Sequence, residues 1–323
     1  MKKFFRFFAC VLCAGALLLQ GCGGVVPSSG LKEPSMRTMK SATERMTRFL
    51  VMGCDRAARL ADCIMIVTVN EGSGAVSVVQ IPRDTYAEYT SRDYKKLNGI
   101  LREKGEKGAK DFLAQALGVP LDYFLILDLN CLDQIVDAIG GVDLEIPMDM
   151  RYSDPEGDLE IDLSRGTHHL NGAEAEQFVR YRAGYANADL GRLDAQKIFL
   201  RAFVKKCNSL SGTEKARLLL SFLTKVQTDI DIAAAFRLSG LFGNFDADAI
   251  PMVTLPGQAV QGSSGAWYYS INRQGAIRIL NQYLLPQNQL DDNTFDPNGI
   301  FDREDLEEFH TIYIAPEASL PLG

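Results

Sequence analysis

The first 22 residues of this 323-residue chain are organised like an export signal, which removes them from the fold and sets the compartment of everything that follows. A basic start, Lys2-Lys3, precedes an uncharged run from Phe7 to Leu19. The run ends in Leu19-Gln20-Gly21-Cys22, an order similar to a lipobox, so we expect residues 1–22 to be a signal peptide with Cys22 as the lipidation site. An uncleaved anchor over residues 7–26 is the alternative, although its glycines weaken it because a span needs about 20 mostly apolar residues. Either way, the body is tethered outside the cytoplasmic membrane.

The rest of the chain divides into a linker (23–47), one folded domain (48–286) and an acidic tail (287–323). Within the domain, short β-branched runs alternate with helical patterns. The predicted strands are 49–52, 64–69, 75–81, 123–129, 142–146 and 250–255. The predicted helices are 110–117, 132–139, most of 172–241, and 275–285. Strands mixed with helices on this scale predict a single α/β or α+β sandwich.

The formal net charge of -7 is concentrated in the tail. Residues 287–323 sum to -8, which leaves the remainder near +1. Export and a near-neutral body both argue against nucleic acid as a partner, and so against a DNA-binding regulator.

The body has four cysteines, Cys54, Cys63, Cys131 and Cys207, without a CxxC pair or a metal-like cluster. We expect buried free thiols, and a disulfide between two of the four stays possible in an exported protein. The sequence also lacks GxSxG, P-loop and HExxH motifs, so neither covalent nor zinc catalysis is indicated.

Two acidic features lie at predicted strand ends. Asp55 follows the first strand and Asp62 precedes the second, so their loop could bring both carboxylates to one end of the sheet, where Mg²⁺ accepts such ligands. The ordinary alternative is a solvated loop. Ile81-Pro82-Arg83-Asp84 ends the third strand with a cation beside an acid, and a surface ion pair is its ordinary explanation.

A basic segment lies in the second half of the body. If Val179-Arg180-Tyr181-Arg182 is extended, its period of two places both guanidinium groups on one face, suited to phosphate oxygens. Further on, Gln196 follows Arg192 by one helical turn. Residues 180–206 sum to +5, which is more often a solvated face than a binding site.

Taken together and in order, these residues resemble the LytR-CpsA-Psr family of cell-wall glycopolymer ligases. The resemblance covers about residues 49–285. It rests on Gly53-Cys54-Asp55, Asp62, Ile81-Pro82-Arg83-Asp84, Lys96-Leu97-Asn98, Gly118-Val119-Pro120-Leu121-Asp122-Tyr123, Gly140-Gly141-Val142-Asp143, His169-Leu170-Asn171-Gly172, Val179-Arg180-Tyr181-Arg182 and Asp189-Leu190-Gly191-Arg192.

The resemblance implies a single α/β/α-type sandwich whose mixed central sheet is flanked by helices and whose core holds a lipid tail. It implies a membrane-tethered phosphotransferase that moves a glycopolymer, such as teichoic acid or capsule, from a polyprenyl (pyro)phosphate carrier to peptidoglycan with the help of Mg²⁺. The implied metal ligands are Asp55 and Asp62, and the implied catalytic residues are Asp84, Asp62 and Arg83. The implied pyrophosphate-binding residues are Arg83, Lys96, Arg180, Arg182, Arg192 and Gln196.

Two departures from the family pattern remove expected positive charge. Leu60 stands where members often have an arginine two residues before the second aspartate, and Arg59 lies one residue away. Ala195-Gln196-Lys197 replaces the usual Arg-Gln-Gln. These departures favour the alternative of a non-catalytic polyprenyl-phosphate-binding or regulatory lipoprotein with the same fold.

Overall fold

A computed structural model of the chain describes residues 45–55, 58–89, 95–128, 132–154, 159–185, 189–211, 213–215, 218, 226–231, 233–234, 237, 246–262, 265–285, 290–291 and 310–313. The predicted signal peptide with Cys22, nearly all of the linker, Cys131 and most of the acidic tail lie outside the described residues. Within the described part of the chain, no helix combines the length and the apolar character needed to cross a membrane.

The strands are β1 (Met46–Asp55), β2 (Leu60–Asn70), β3 (Val76–Gln80), β4 (Tyr123–Asp128), β5 (Val142–Ile146), β6 (Met150–Asp154), β7 (Leu159–Leu163), β8 (Gly166–Leu170), β9 (Val226–Thr228), β10 (Met252–Thr254), β11 (Gly257–Gln261), β12 (Trp267–Ile271) and β13 (His310–Tyr313). The helices are α1 (Ile100–Leu117), α2 (Leu132–Ala138), α3 (Gly172–Arg180), α4 (Asp189–Ser209) and α5 (Arg273–Tyr283). A short 3-10 helix over Leu97–Gly99 leads directly into α1.

Six strands form the central sheet in the order β10-β3-β2-β1-β4-β9. The β1–β4 and β3–β10 pairs are parallel, and the other pairs are antiparallel. The predicted α/β class with a mixed sheet is therefore confirmed. The six predicted strand runs correspond to β1, β2, β3, β4, β5 and β10.

One face of the central sheet carries the largest core. Alternate residues of β1, Leu50 and Met52, pack there with Leu113 of α1 and Leu280 of α5, all fully buried. Helix α1 ends as predicted at Gly118, whose backbone is left-handed with a φ of 61°. A residue with a side chain rarely adopts that conformation, which explains the glycine at this helix end.

The opposite face of the sheet is covered less completely. Val51 of β1 and Val67 of β2 lie on this face, because they alternate along their strands with residues buried on the first face. Both are only partly buried, as is Leu125 of β4. Leu200 and Val204 of α4 pack over this face and are also partly buried. The face therefore combines an apolar lining with incomplete burial.

Two-stranded pairs β5–β8 and β6–β7 belong to a second core with α2, α3 and α4. A separate sheet, β12-β11-β13, brings residues 310–313 of the acidic tail back beside β11. Among the residues that the structure describes, Cys54, Cys63 and Cys207 form no disulfide; Cys54 is buried as expected, whereas Cys63 and Cys207 are only partly buried. Cys54 and Cys63 belong to clusters on different faces of the central sheet.

Candidate active site

A β-bulge places Asp62 at the end of the central sheet. Cys54 pairs with Ala61 and Gly53 pairs with Cys63, so Asp62 is the additional residue of β2. Ala61 and Ile64 both pack in the core of the first face, which regular alternation would forbid. The bulge absorbs one residue and re-aims the side chains around it. Asp62 thus lies within β2, and the prediction that it precedes this strand is wrong.

Two arginines and two aspartates converge at this point. Nη1 of Arg83, which follows β3, donates to Oδ1 of Asp62. Arg192, in the first turn of α4, has Nη1 3.6 Å from the same Asp62 oxygen and Nη2 2.8 Å from Oδ1 of Asp189. Nε of Arg83 lies 3.6 Å from that Asp189 oxygen. The charges alternate around a ring, so each cation faces two anions.

Burial makes this ring unusual. The Arg192 side chain is 4% exposed and that of Arg83 is 17% exposed. Within the described residues, Nε of Arg83, Nε and Nη2 of Arg192 and both carboxylate oxygens of Asp189 make no hydrogen bond, although Nη2 of Arg192 lies 2.8 Å from Oδ1 of Asp189. Buried polar groups in proteins are normally paired, so unpaired guanidinium donors at a sheet end are suited to ligand oxygens.

The two guanidinium groups experience different fields. Burial acts against the charge of Arg83, but Asp189, Asp62 and Asp84 outweigh it and raise the pKa of Arg83. Burial lowers the pKa of Arg192, and the neighbouring Arg83 lowers it further despite the attraction of Asp189. Both guanidinium groups stay positively charged near neutral pH. Because burial and Arg83 both act against its charge, Arg192 would be stabilised more than Arg83 by an additional anion.

Asp84 and Lys96 form a separate ion pair beside the ring, with Nζ of Lys96 3.1 Å from Oδ1 of Asp84. Lys96 was implied to be a pyrophosphate ligand, and the structure directs its ammonium group to Asp84. The Asp84 side chain is 29% exposed and therefore accessible to a substrate hydroxyl.

The condition of an extended backbone over 179–182 is not met, and the helical pattern expected over most of 172–241 holds up to Arg180. Residues up to Arg180 belong to α3, so the period-of-two argument does not apply to Arg180. This helix begins with a capping box formed by Asn171 and Glu174, which fixes its first turn. Nη1 of Arg180 lies 2.8 Å from Oε1 of Glu176 one turn earlier, and the side chain is 45% exposed.

Arg182 is exposed beyond the helix end, and its charge contributes to lowering the pKa of Arg192. Arg182 therefore lies close enough to the ring to influence it electrostatically. Arg180 is not shown in contact with the ring.

Helix α4 presents a graded stripe to the second face of the sheet. Arg192, Gln196, Leu200 and Val204 recur every four residues and so share one side of the helix. The buried Oε1 of Gln196 makes no hydrogen bond within the described residues. The stripe is cationic and polar at the ring and apolar further along.

The departures from the family pattern have structural explanations. Arg59 does not replace the missing arginine at position 60, since its Nη2 contacts Oε1 of Glu106 at 2.8 Å and the Leu101 carbonyl at 3.2 Å in α1. Lys197 pairs with Asp194 at 2.9 Å on α4. Asp55 is the last residue of β1, opposite Leu60, at the same end of the sheet as Asp62.

The sequence motif contains Asp189 but predicts no role for it, whereas in the structure its carboxylate lies between Arg83 and Arg192. The signal was its spacing three residues before Arg192, which lets the two meet on one helix face. Gly191 in the same motif is explained by close packing, because a Cβ there would lie 2.4 Å from the Tyr185 side chain.

The fold and the ring define an α/β protein with a buried arginine–aspartate ring at the end of a mixed central sheet, beside a partly buried apolar sheet face. The chain belongs to the LytR_cpsA_psr family, whose sequence model matches residues 28–283.

Similar proteins include the polyisoprenyl-teichoic acid–peptidoglycan teichoic acid transferase TagV of Bacillus subtilis, which is 25% identical over 69% of this chain and 60% of TagV. The chain thus spans less than two thirds of the length of TagV. The polyisoprenyl-teichoic acid–peptidoglycan teichoic acid transferase TagU of Bacillus mycoides is 25% identical over 76% of this chain and 81% of TagU. The crystal structure of B. subtilis TagV superposes with a TM-score of 0.63, at 23% identity, over 75% of this chain and 98% of that one, and shows the shared fold.

Proposed function

We propose that this protein is an extracytoplasmic, membrane-tethered phosphotransferase that moves a glycopolymer from a polyprenyl (pyro)phosphate carrier to peptidoglycan, assisted by Mg²⁺. The observation that carries the proposal is the buried arginine pair with unpaired donors at the end of the sheet. Family membership and two relatives named as teichoic acid transferases support the substrate class. The sequence of residues 1–22 supports the compartment and the tether.

The head of the carrier fits the ring. A diphosphate brings several oxygens to planar guanidinium groups that bind such oxygens in pairs. On binding, it takes over part of the compensation that Asp62 and Asp189 give to Arg83 and Arg192. Arg182 adds long-range attraction, and Lys96 acts mainly through Asp84.

The tail of the carrier fits the second face of the sheet. The stripe on α4 changes from Arg192 and Gln196 to Leu200 and Val204, which matches an amphiphile with a charged head and an apolar chain. Partly buried Val51 and Val67 form the facing wall. Burying an apolar chain here removes both lipid and protein surface from water, which contributes about 25 cal/mol per Å².

Mg²⁺ fits the donor chemistry of this end of the sheet. It prefers hard oxygen ligands, often one or two carboxylates together with substrate phosphates. Asp62 has an accessible carboxylate, 36% exposed, that is shared between two arginines. Asp55 is the proposed second ligand from the facing strand end. When bound, the ion would neutralise negative charge on the diphosphate.

Different residues of the chain have different roles in phosphoryl transfer. Arg83 and Arg192 hold the phosphate oxygens and stabilise the charge that develops there. A sugar hydroxyl of the acceptor attacks phosphorus in line, so a new P–O bond forms while the bond to the leaving phosphate breaks. Asp84 takes the hydroxyl proton, and the ammonium group of Lys96 at 3.1 Å orients its carboxylate.

The test uses the purified full chain with a lipid-diphosphate glycan, Mg²⁺ and soluble peptidoglycan fragments. The expected product is a new phosphodiester between glycan and fragment, and replacing Arg83 or Arg192 by alanine should abolish donor binding. Donor binding without any product would instead support the non-catalytic alternative. Unchanged donor binding by both variants would overturn the site assignment.

A further inference from the structure

Next to the arginine ring lies a surface of mixed aromatic and charged side chains, of which the transfer chemistry above gives a role only to Asp84. We define the Tyr86 surface as Asp84, Tyr86, Glu88, Lys95 and Tyr268. We propose that it binds a saccharide ring of the acceptor and so presents a sugar hydroxyl to Asp84. This inference rests on the proposed function and adds the place where the acceptor lies.

Contacts show that these side chains share one side of the structure. The rings of Tyr86 and Tyr268 meet edge to face, with centroids 5.4 Å apart and an angle of 80°. Nζ of Lys96 lies 5.9 Å from the centre of the Tyr268 ring while it pairs with Asp84. Asp84 is therefore next to the aromatic pair, and its sequence neighbour Arg83 reaches into the ring of charges.

The backbone holds this arrangement from both sides. The Tyr269 amide donates to the Asp84 carbonyl, and the Tyr86 amide donates to the Tyr269 carbonyl, both at 2.9 Å. On the other side, the Ala87 amide donates to the Lys95 carbonyl at 2.8 Å. A surface fixed in this way loses little conformational entropy when it binds a ligand.

The chemistry of the surface is that of a sugar site. Tyrosine combines an apolar ring with a polar tip and so matches the alternating C–H and O–H groups of a saccharide. Nζ of Lys95 lies 5.9 Å from the Tyr86 ring centre and 3.5 Å from Glu88, and the Tyr86 hydroxyl donates to Glu88 at 2.7 Å. Carboxylates accept from sugar hydroxyls and ammonium groups donate to them.

Partial exposure is what such a site needs. The side chains of Glu88 and Lys95 are each 30% exposed and that of Asp84 is 29% exposed. These groups can therefore contact a ligand in water, while buried Tyr268 supports them from below. A polyprenyl chain has no hydroxyl groups for these charges. A saccharide bound here lies next to Asp84, the group proposed to take the hydroxyl proton, so we assign the surface to the acceptor and not to the donor glycan.

The experiment measures binding of a soluble peptidoglycan oligosaccharide to the full chain without donor, by NMR titration, and separately measures binding of inorganic pyrophosphate. Tyr86→Leu removes the ring and the hydroxyl, and we expect at least a fivefold weaker oligosaccharide affinity with pyrophosphate affinity within twofold of the parent. Lys95→Ala should weaken the oligosaccharide about threefold and serves if the leucine variant does not fold. Tyr152→Leu is the control, since Tyr152 is 41% exposed on β6.

Three outcomes would overturn the inference: absence of oligosaccharide binding by the parent protein, equal binding by the Tyr86 and Tyr152 variants, or a loss confined to the lipid-diphosphate glycan. The proposed transfer fails on a different result, namely no phosphodiester product while both ligands bind. The two failures are therefore distinguishable.

Discussion

Replacing Asp189 by asparagine tests whether the ring is held together by its own charges. The variant keeps the side-chain shape but leaves buried Arg192 with only the Asp62 oxygen, 3.6 Å away. Breaking a buried pair by removing one partner costs about 3–5 kcal/mol. Because Asp62 remains, we expect the lower end, about 3 kcal/mol of unfolding free energy. For a domain of this size that corresponds to a Tm lower by about 6–12 °C.

The same variant should respond more strongly to an anion. In the parent protein, Oδ1 of Asp189 lies 2.8 Å from Nη2 of Arg192. Pyrophosphate would therefore have to compete with Asp189 for this guanidinium group. With asparagine the ring has one excess positive charge, so pyrophosphate should raise the Tm of the variant by more than it raises that of the parent. A ligand at 100 times its Kd stabilises by about 2.7 kcal/mol, enough to recover most of the loss.

The assay is thermal unfolding at constant ionic strength with and without inorganic pyrophosphate. Asp194→Asn is the matched control, because Asp194 lies on the same helix, is 54% exposed and pairs with Lys197 at the surface. Such pairs contribute about 0–1 kcal/mol, so its Tm should barely move. The reasoning is refuted if Asp189→Asn behaves like this control, or if pyrophosphate stabilises the variant less than the parent.

Three further predictions concern Leu200 of the stripe, Asp84 and the Cys63 thiol. Leu200→Gln should weaken binding of a polyprenyl diphosphate roughly tenfold, or about 1.4 kcal/mol, while pyrophosphate binds as before; equal losses for both ligands would contradict the division into head and tail. Asp84→Asn should slow transfer by about 10²–10⁴ with donor affinity retained, and near-normal turnover would remove Asp84 from the role of base. Burial raises the pKa of the Cys63 thiol from 9.0 to about 12, so the thiolate is scarce at neutral pH and forms only as pH rises towards that value. Iodoacetamide at pH 8 should therefore modify Cys63 roughly a thousandfold more slowly than an unperturbed thiol, and rapid labelling would show that the site is open to water.

Local patterns in the sequence predict most of the fold. Runs such as residues 64–69 predict strands because their β-branched side chains suit a pleated surface, and Gly118 marks the end of α1 because only its left-handed backbone closes that turn. The strands β6, β7, β8, β9, β11, β12 and β13 were not predicted, and β9 lies within the stretch 172–241 that was expected to be mostly helical. Polar residues on their exposed sides, such as Arg151 and Asp162, obscure the alternation.

The candidate site depended on features that a linear pattern does not contain. The bulge at Asp62 changes which face its side chain points to, and it is visible only as the shift in pairing between β1 and β2. The alternation of Arg180 and Arg182 would place both on one face only in an extended segment, but the capped helix α3 continues through Arg180. Asp189 acquired a role only once Arg83, from a distant part of the chain, lay on its other side.

Helix α4 also sets a distance. Arg192 and Val204 are twelve residues apart on one stripe, which at the helical rise corresponds to about 18 Å. In the proposed function, this distance is the length over which the helix would contact the lipid beyond its head group. Affinity should rise with carrier length up to about 18 Å and then level off, because further carbons pass beyond Val204. Discrimination between short and long carriers would then depend on how far the apolar part of the stripe extends along α4, which itself continues to Ser209.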